Sequence, residues 1–146
     1  MRHVTQEGLS LIKRFEGFSP TIYVDAAGLP TIGYGHLLRP NEAEMFRRGI
    51  SHEAAIALLN KDVEAAERSV LRLITVPLTN GQFDALVSFT FNLGGGALQR
   101  STLRRKVNRE EHDDVPAEFL RWVWAGRKKL RGLVKRRQAE TKHYAS

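Results

Sequence analysis

The chain contains no cysteine among its 146 residues. Disulfides, zinc–thiolate sites, iron–sulfur clusters and a thiol nucleophile are therefore excluded. No apolar run approaches the roughly 18 residues of a membrane span, so none is expected. The opening Met1–Arg2–His3–Val4–Thr5–Gln6–Glu7 lacks the apolar centre of a signal peptide, and no export signal is expected. There is no low-complexity tract and no repeat of 20–50 residues. His3, His52, His112 and His143 show no metal-ligand spacing, and neither a Walker loop nor a dinucleotide fingerprint occurs, so no metal and no cofactor is expected.

What is present is ordinary globular composition, 42% hydrophobic and 27% charged, which argues against disorder. The length suits one domain, or one domain of two lobes. Charge is distributed unevenly. Residues 1–120 hold 14 basic and 15 acidic side chains, whereas residues 121–146 hold 9 and 1. The net charge of +7 thus comes from the last 26 residues. Such a segment implies an anionic partner, or a solvated basic helix face.

The pattern predicts mostly helix with one small sheet near the N-terminus. A first helix is expected over 5–15, stopped by Gly17. Short strands are expected at Ile22–Val24 and Thr31–Gly35, joined by a loop from Asp25 to Pro30. A helix capped by Ser51 should run to about residue 74, with Ile56, Leu59, Val63, Ala66, Val70 and Leu73 on one stripe. At this length it suits a rod joining two lobes. Thr79–Asn80–Gly81–Gln82 reads as a capping box ahead of a helix ending near Gly94–Gly96. Further helices are expected from Ser101 to about Val107, from Asp114 or Val115, before Pro116, through Phe119, Trp122 and Val123, and over 132–143.

Three polar residues suggest chemistry: Glu16, Asp25 and Thr31. Glu16 ends the first helix, where carbonyl dipoles and flanking phenylalanines disfavour a carboxylate. A carboxyl kept protonated near neutral pH is what a general acid requires. Asp25 lies in a loop whose N–H groups and water can hold it ionised. Two carboxyls in contrasting surroundings form the acid and base of glycoside hydrolysis. Thr31, across the turn, is placed to hold a water for Asp25. A surface Glu, a turn Asp and a strand Thr would show the same spacing.

The segments IKRFEGF, YVDAAGLPTIGYGH, LTNGQFDALVSFTFNLGGG and GLVKRRQAE resemble the phage-type lysozymes, or endolysins, of glycoside hydrolase family 24, the family of the T-even bacteriophage lysozyme. The likeness spans about residues 5–143. It implies an α+β, mostly α, two-lobe lysozyme-like fold. A small N-terminal sheet lobe (about 16–60), a linking helix (about 51–74) and a helical C-terminal lobe (about 75–146) would form one domain, with helix 5–15 packed on the last and the cleft between lobes. It implies a muramidase cleaving the β-1,4 bond between N-acetylmuramic acid and N-acetylglucosamine, with Glu16, Asp25 and Thr31 as its triad. It further implies substrate contacts at Phe91, Leu37 and Thr102, an ion pair of His36 with Asp62, and an arginine near Glu16 that is either Arg136 or Arg137. Phe91 reads equally as core, Thr102 as part of a cap, and Trp122 as core. Tyr34 and Trp124 are candidates for stacking on sugar. The expected partner is the peptidoglycan polymer, with no nucleic acid. The protein is expected to be a monomer held in the host cytoplasm until a holin releases it to the cell wall. A non-catalytic cell-wall- or nucleic-acid-binding module using the basic tail, and a lytic transglycosylase, are the rivals. The intact Glu16/Asp25 pair argues against the first, and Asp25 with Thr31 against the second.

Overall fold

Thr5 starts the first helix by two means. Its hydroxyl accepts from the Gly8 N–H (3.1 Å), and its own N–H donates to the buried Asp84 carboxylate (2.9 Å). Helix α1 then runs over Gln6–Glu16 and stops at Gly17, whose φ of +70° suits glycine. The computed structural model describes all 146 residues. The chain divides into two compact units, Ile12–Glu64 and a second formed by Met1–Leu11 with Ala65–Ser146.

The smaller unit carries a three-stranded antiparallel sheet in the order β1 (Ser19–Val24), β2 (Pro30–Gly33), β3 (His36–Leu37). Tyr23 faces Thr31, and Ile32 faces His36, across the two pairings. The second strand stops short of the expected Gly35 because Gly33 and Gly35 both take positive φ. The chain reverses there and returns as a third strand that the sequence pattern did not announce. A one-turn helix α2 (Glu42–Met45), also unannounced, follows. The Ile50 N–H donates to the Pro20 carbonyl (2.9 Å) and returns the chain to the sheet.

Helix α3 (His52–Leu73) starts in this unit and ends in the other. Ser51 caps it, its hydroxyl accepting from the Ala54 N–H (3.1 Å). Leu59, Val63, Ala66, Val70 and Leu73 are buried, as the stripe requires, with Ala55 taking the place of the half-buried Ile56.

In the larger unit, α4 (Asn80–Leu93) is the central helix. The capping box is present: Thr79 accepts from the Gln82 N–H (3.1 Å), and Gln82 accepts from the Thr79 N–H (2.9 Å). From Gly81 to Thr90 every residue but Gln82 is buried, so α4 is covered on all sides. Around it stand α5 (Gly95–Arg100), α6 (Thr102–Asn108), a 3₁₀ turn (His112–Asp114), α7 (Val115–Phe119) and α8 (Arg131–Tyr144). Ser101 caps α6 through the Arg104 N–H (3.0 Å).

Helix α4 ends at the glycine run, as expected, with Gly94 (φ +94°) as its cap, and α5, which was not expected, begins at once. Two expectations are corrected. Helix α7 ends at Phe119, so Trp122 and Val123 lie beyond it. They lead into a second small sheet, β4 (Trp124–Ala125) paired with β5 (Lys128–Lys129), where only one sheet was expected.

The C-terminal charge is likewise not one helix face. Arg127, Lys128 and Lys129 sit on the β4–β5 hairpin in solvent, while Arg136 and Arg137 are buried. Glu140, itself fully buried, meets Arg137 as an ion pair at 2.7 Å and Arg136 at 3.4 Å, and accepts from the Ser88 hydroxyl at 2.6 Å. Arg137 also donates to Asn92 (2.8 Å). Burial pushes the Glu140 carboxyl above its ordinary value, against the pull of both guanidiniums and Ser88. The same loss of water holds Arg137 below the usual guanidinium range. Glu140→Ala leaves two guanidiniums buried with no carboxylate between them. It should cost about 3–5 kcal/mol, read from urea unfolding.

Candidate active site

Glu16 is the last residue of α1, at the point where Gly17 turns the chain into the sheet. The Gly33–Tyr34–Gly35 turn between β2 and β3 meets it. Gly35 has φ +73°, and a Cβ there would overlap the Glu16 carboxyl group. Backbone thus lies directly against the carboxyl, an approach only glycine permits.

Asp25 follows β1. One of its carboxylate oxygens, Oδ1, accepts from the Ala27 N–H (2.9 Å) and the Leu29 N–H (2.8 Å). The Asp25 N–H donates to the Leu29 carbonyl and its carbonyl accepts from Gly28 (2.9 Å each), closing a tight loop. The loop therefore fixes the carboxylate through Oδ1. Thr31, buried in β2, donates its hydroxyl proton to the Leu29 carbonyl (2.9 Å). Its oxygen keeps lone pairs to accept from a further donor.

Tyr23 was not singled out by the sequence. It pairs with Thr31 across the hairpin. Partial burial raises its phenol pKa first, and the negative charges of Glu16 and Asp25 raise it further. One phenol thus feels both carboxylates. Gly35 was equally unforeseen as a site residue, although two glycines spaced by one residue beside a strand are a signal of close backbone approach.

His36 is buried in the same unit, with Nδ1 2.7 Å from Asp62 and Nε2 3.1 Å from Glu42. The Asp62 contact is the pairing that the family resemblance implied, and the Glu42 contact was not anticipated. Leu37, next in β3, is 51% exposed. Tyr34 packs with Phe18 and His52, its ring centroid 5.3 and 5.8 Å from theirs.

The remaining expected residues belong to the larger unit. Phe91 is half-buried on the last turn of α4. Thr102 opens α6, its hydroxyl accepting from Arg105 (3.0 Å). It lines a cavity of about 270 Å³ with Arg100, Ser101, Glu118, Arg121 and Trp122. Trp122 is half-buried with its ring edge-on to Phe89 at 5.5 Å, whereas Trp124 is 58% exposed. The other four histidines each have a partner: His3 with Glu67, His52 with Tyr34, His112 with Tyr144 and His143 with Asp84.

Residues 13–140 match the phage lysozyme family. The chain belongs to that family. It is 40% identical over 142 residues to an endolysin of Acyrthosiphon pisum secondary endosymbiont phage 1, covering 94% of each chain. It is 41% identical over 143 residues to an endolysin of Bacillus phage B103, but spans only 52% of that protein. Among solved structures, the muramidase domain of SpmX from Asticaccaulis excentricus superposes with a TM-score of 0.89 at 32% identity, covering 100% of this chain and 99% of that one. The mostly helical fold with small antiparallel sheets is lysozyme-like. The protein is accordingly a lysozyme-type hydrolase, an endolysin that degrades peptidoglycan in host lysis.

Glu42 gives this part of the lysozyme a pH signature. Its pKa lies below the ordinary 4.5, chiefly because the Arg39 N–H donates to it, with His36 adding to the effect and partial burial opposing it. A lowered carboxyl contributes stability above its unfolded value and loses it as pH falls through the folded value. Glu42→Gln should therefore flatten the loss of stability below pH 4.5, measured by urea unfolding across an acid pH series.

Proposed function

We propose that Glu16 donates the proton and Asp25 activates water in hydrolysis of the β-1,4 bond between N-acetylmuramic acid and N-acetylglucosamine. The observation that carries the reading is the construction of the Asp25 loop. Two N–H groups hold Oδ1, which leaves Oδ2 as the oxygen to take a proton from water. Thr31, already a donor to the Leu29 carbonyl, is an acceptor for the same water's second proton. Glu16 lies against backbone at Gly35, which limits its rotation and favours delivery of its proton to one point, the glycosidic oxygen.

A water held by Asp25 attacks the face opposite the leaving group, so the reaction inverts the anomeric carbon. The first product detected by NMR should be the α anomer, and a β anomer would contradict the assignment. Digested peptidoglycan should carry reducing muramic acid ends by mass spectrometry. Ends in the 1,6-anhydro form would instead mean a transglycosylase, which needs the acid but no water-activating base.

Glu16→Gln removes the proton while keeping size and should lower turnover by about 10²–10⁴-fold with little change in folding. Asp25→Asn should be comparably severe, and Thr31→Ala milder. Near-normal wall clearing by Glu16→Gln would end the assignment.

The wider reading has the chain acting as one lysozyme domain and as a monomer. Phe91, Leu37 and Thr102 contact substrate, and Thr102's place in the lining of a polar cavity supports its part. Access to the wall falls to a separate pore-forming holin that releases the enzyme from the host cytoplasm, a reading that likeness to phage endolysins supports.

A further inference from the structure

The turn that meets Glu16 has a peculiar construction. Gly33 and Gly35 both hold positive φ and contribute no side chain. Two glycines flanking one residue make a segment with little intrinsic stiffness. The segment's one side chain is Tyr34, and its hydroxyl lies 2.7 Å from Nε2 of His52, a hydrogen bond to the first residue of α3. Phe18 completes the cluster, its ring 5.3 Å from Tyr34 and edge-on to His52 at 5.2 Å. Phe18 sits two residues after Glu16, and Tyr34 sits one residue before the glycine that touches the Glu16 carboxyl. The cluster thus grips the chain on both sides of the carboxyl group.

We propose that Tyr34 and His52 form a positioning pair for Glu16. The hydrogen bond ties the Gly–Tyr–Gly turn to the rigid start of α3, and the turn holds the carboxyl in the orientation that delivers its proton. Neither residue touches the reacting atoms. Their effect passes through the Gly35 backbone. Without the bond, rotation at the two glycines lets Gly35 withdraw, and Glu16 gains rotamers that miss the glycosidic oxygen. The proposal rests on Glu16 as the proton donor.

The test is steady-state kinetics on solubilised peptidoglycan fragments, with thermal unfolding of every variant. Tyr34→Phe keeps the ring and loses only the hydroxyl. It should lower kcat about tenfold with KM and Tm unchanged, a smaller loss than displacement by about 1 Å brings. His52→Phe keeps an aromatic ring without a hydrogen-bonding atom and should match it. His52→Gln can still bond to the phenol and should retain most of kcat. The double variant Tyr34→Phe, His52→Phe should be no worse than either single one, because each removes the same bond. Full kcat in Tyr34→Phe would overturn the proposal and leave the cluster a surface staple. A raised KM at constant kcat would overturn it in favour of a sugar-stacking platform, and a kcat loss that tracks Tm would overturn it in favour of general destabilisation. Glu16→Gln run alongside separates the two levels. If it stays active, the catalytic reading itself falls. If it is inactive while Tyr34→Phe is fully active, only the positioning role falls.

Discussion

The unit that presents Glu16, Asp25 and Thr31 depends on one buried imidazole. Its apolar core is small: Ile12, Ile32, Ala55, Leu59 and Val63 supply most of it. Three short strands do not hold together on so little burial. His36 makes up the difference by joining three elements at once. It lies in β3, bonds Asp62 on α3 through Nδ1, and faces Glu42 on α2 through Nε2. The Phe46 ring stands edge-on to it at 6.3 Å. A hydrogen-bonded, charge-assisted junction of this kind has direction, which a few aliphatic contacts lack. It fixes β3 against α3, and with β3 the end of the turn that meets Glu16.

Legibility in the sequence followed the strength of local signals. Ser51, Thr79 and Ser101 each mark a helix start by a side chain that must accept a backbone N–H, and all three helices begin there. The elements that went unread had no such mark. Helix α5 starts on three glycines, which by propensity stop a helix, and it forms because Ala97 and Leu98 bury completely in the larger unit. Strands of two residues, β3, β4 and β5, are too short for any alternation to show. Among the site residues, those that carry chemistry in their side chains were readable by type, with the family likeness supplying the roles. Tyr23 and Gly35 were not, because each matters through what lies beside it in space. Glu42 escaped for the same reason, being six residues from the histidine it faces.

The basic C-terminus shows why net charge is a poor guide to surface. Of the 9 cations after residue 120, Arg136 and Arg137 are buried and meet Glu140, Ser88 and Asn92. Removing such groups from water is costly, and the shared carboxylate together with directed hydrogen bonds offsets that cost. What remains outside is concentrated on a hairpin that also displays Trp124 and on the exposed start of α8. The same run of sequence therefore supplies both an interior crosslink between α4 and α8 and an exposed cationic surface.

Asp84 has a consequence for how the molecule is made. Its carboxylate accepts from Thr5 and contacts His143, tying two segments far apart in sequence to the second turn of α4. Gly8 lacks a side chain where one would collide with that carboxylate, and Gly81 lacks one where it would strike the last residues. During synthesis the first eleven residues leave the ribosome long before the helix they will join. The segment Ile12–Glu64 is contiguous and has all its residues early, so it is free to fold while the rest is still being translated. The larger unit has to wait for its own final turn of helix. The order of the chain therefore lets the unit that carries Glu16, Asp25 and Thr31 form well before the unit that needs both Thr5 and His143.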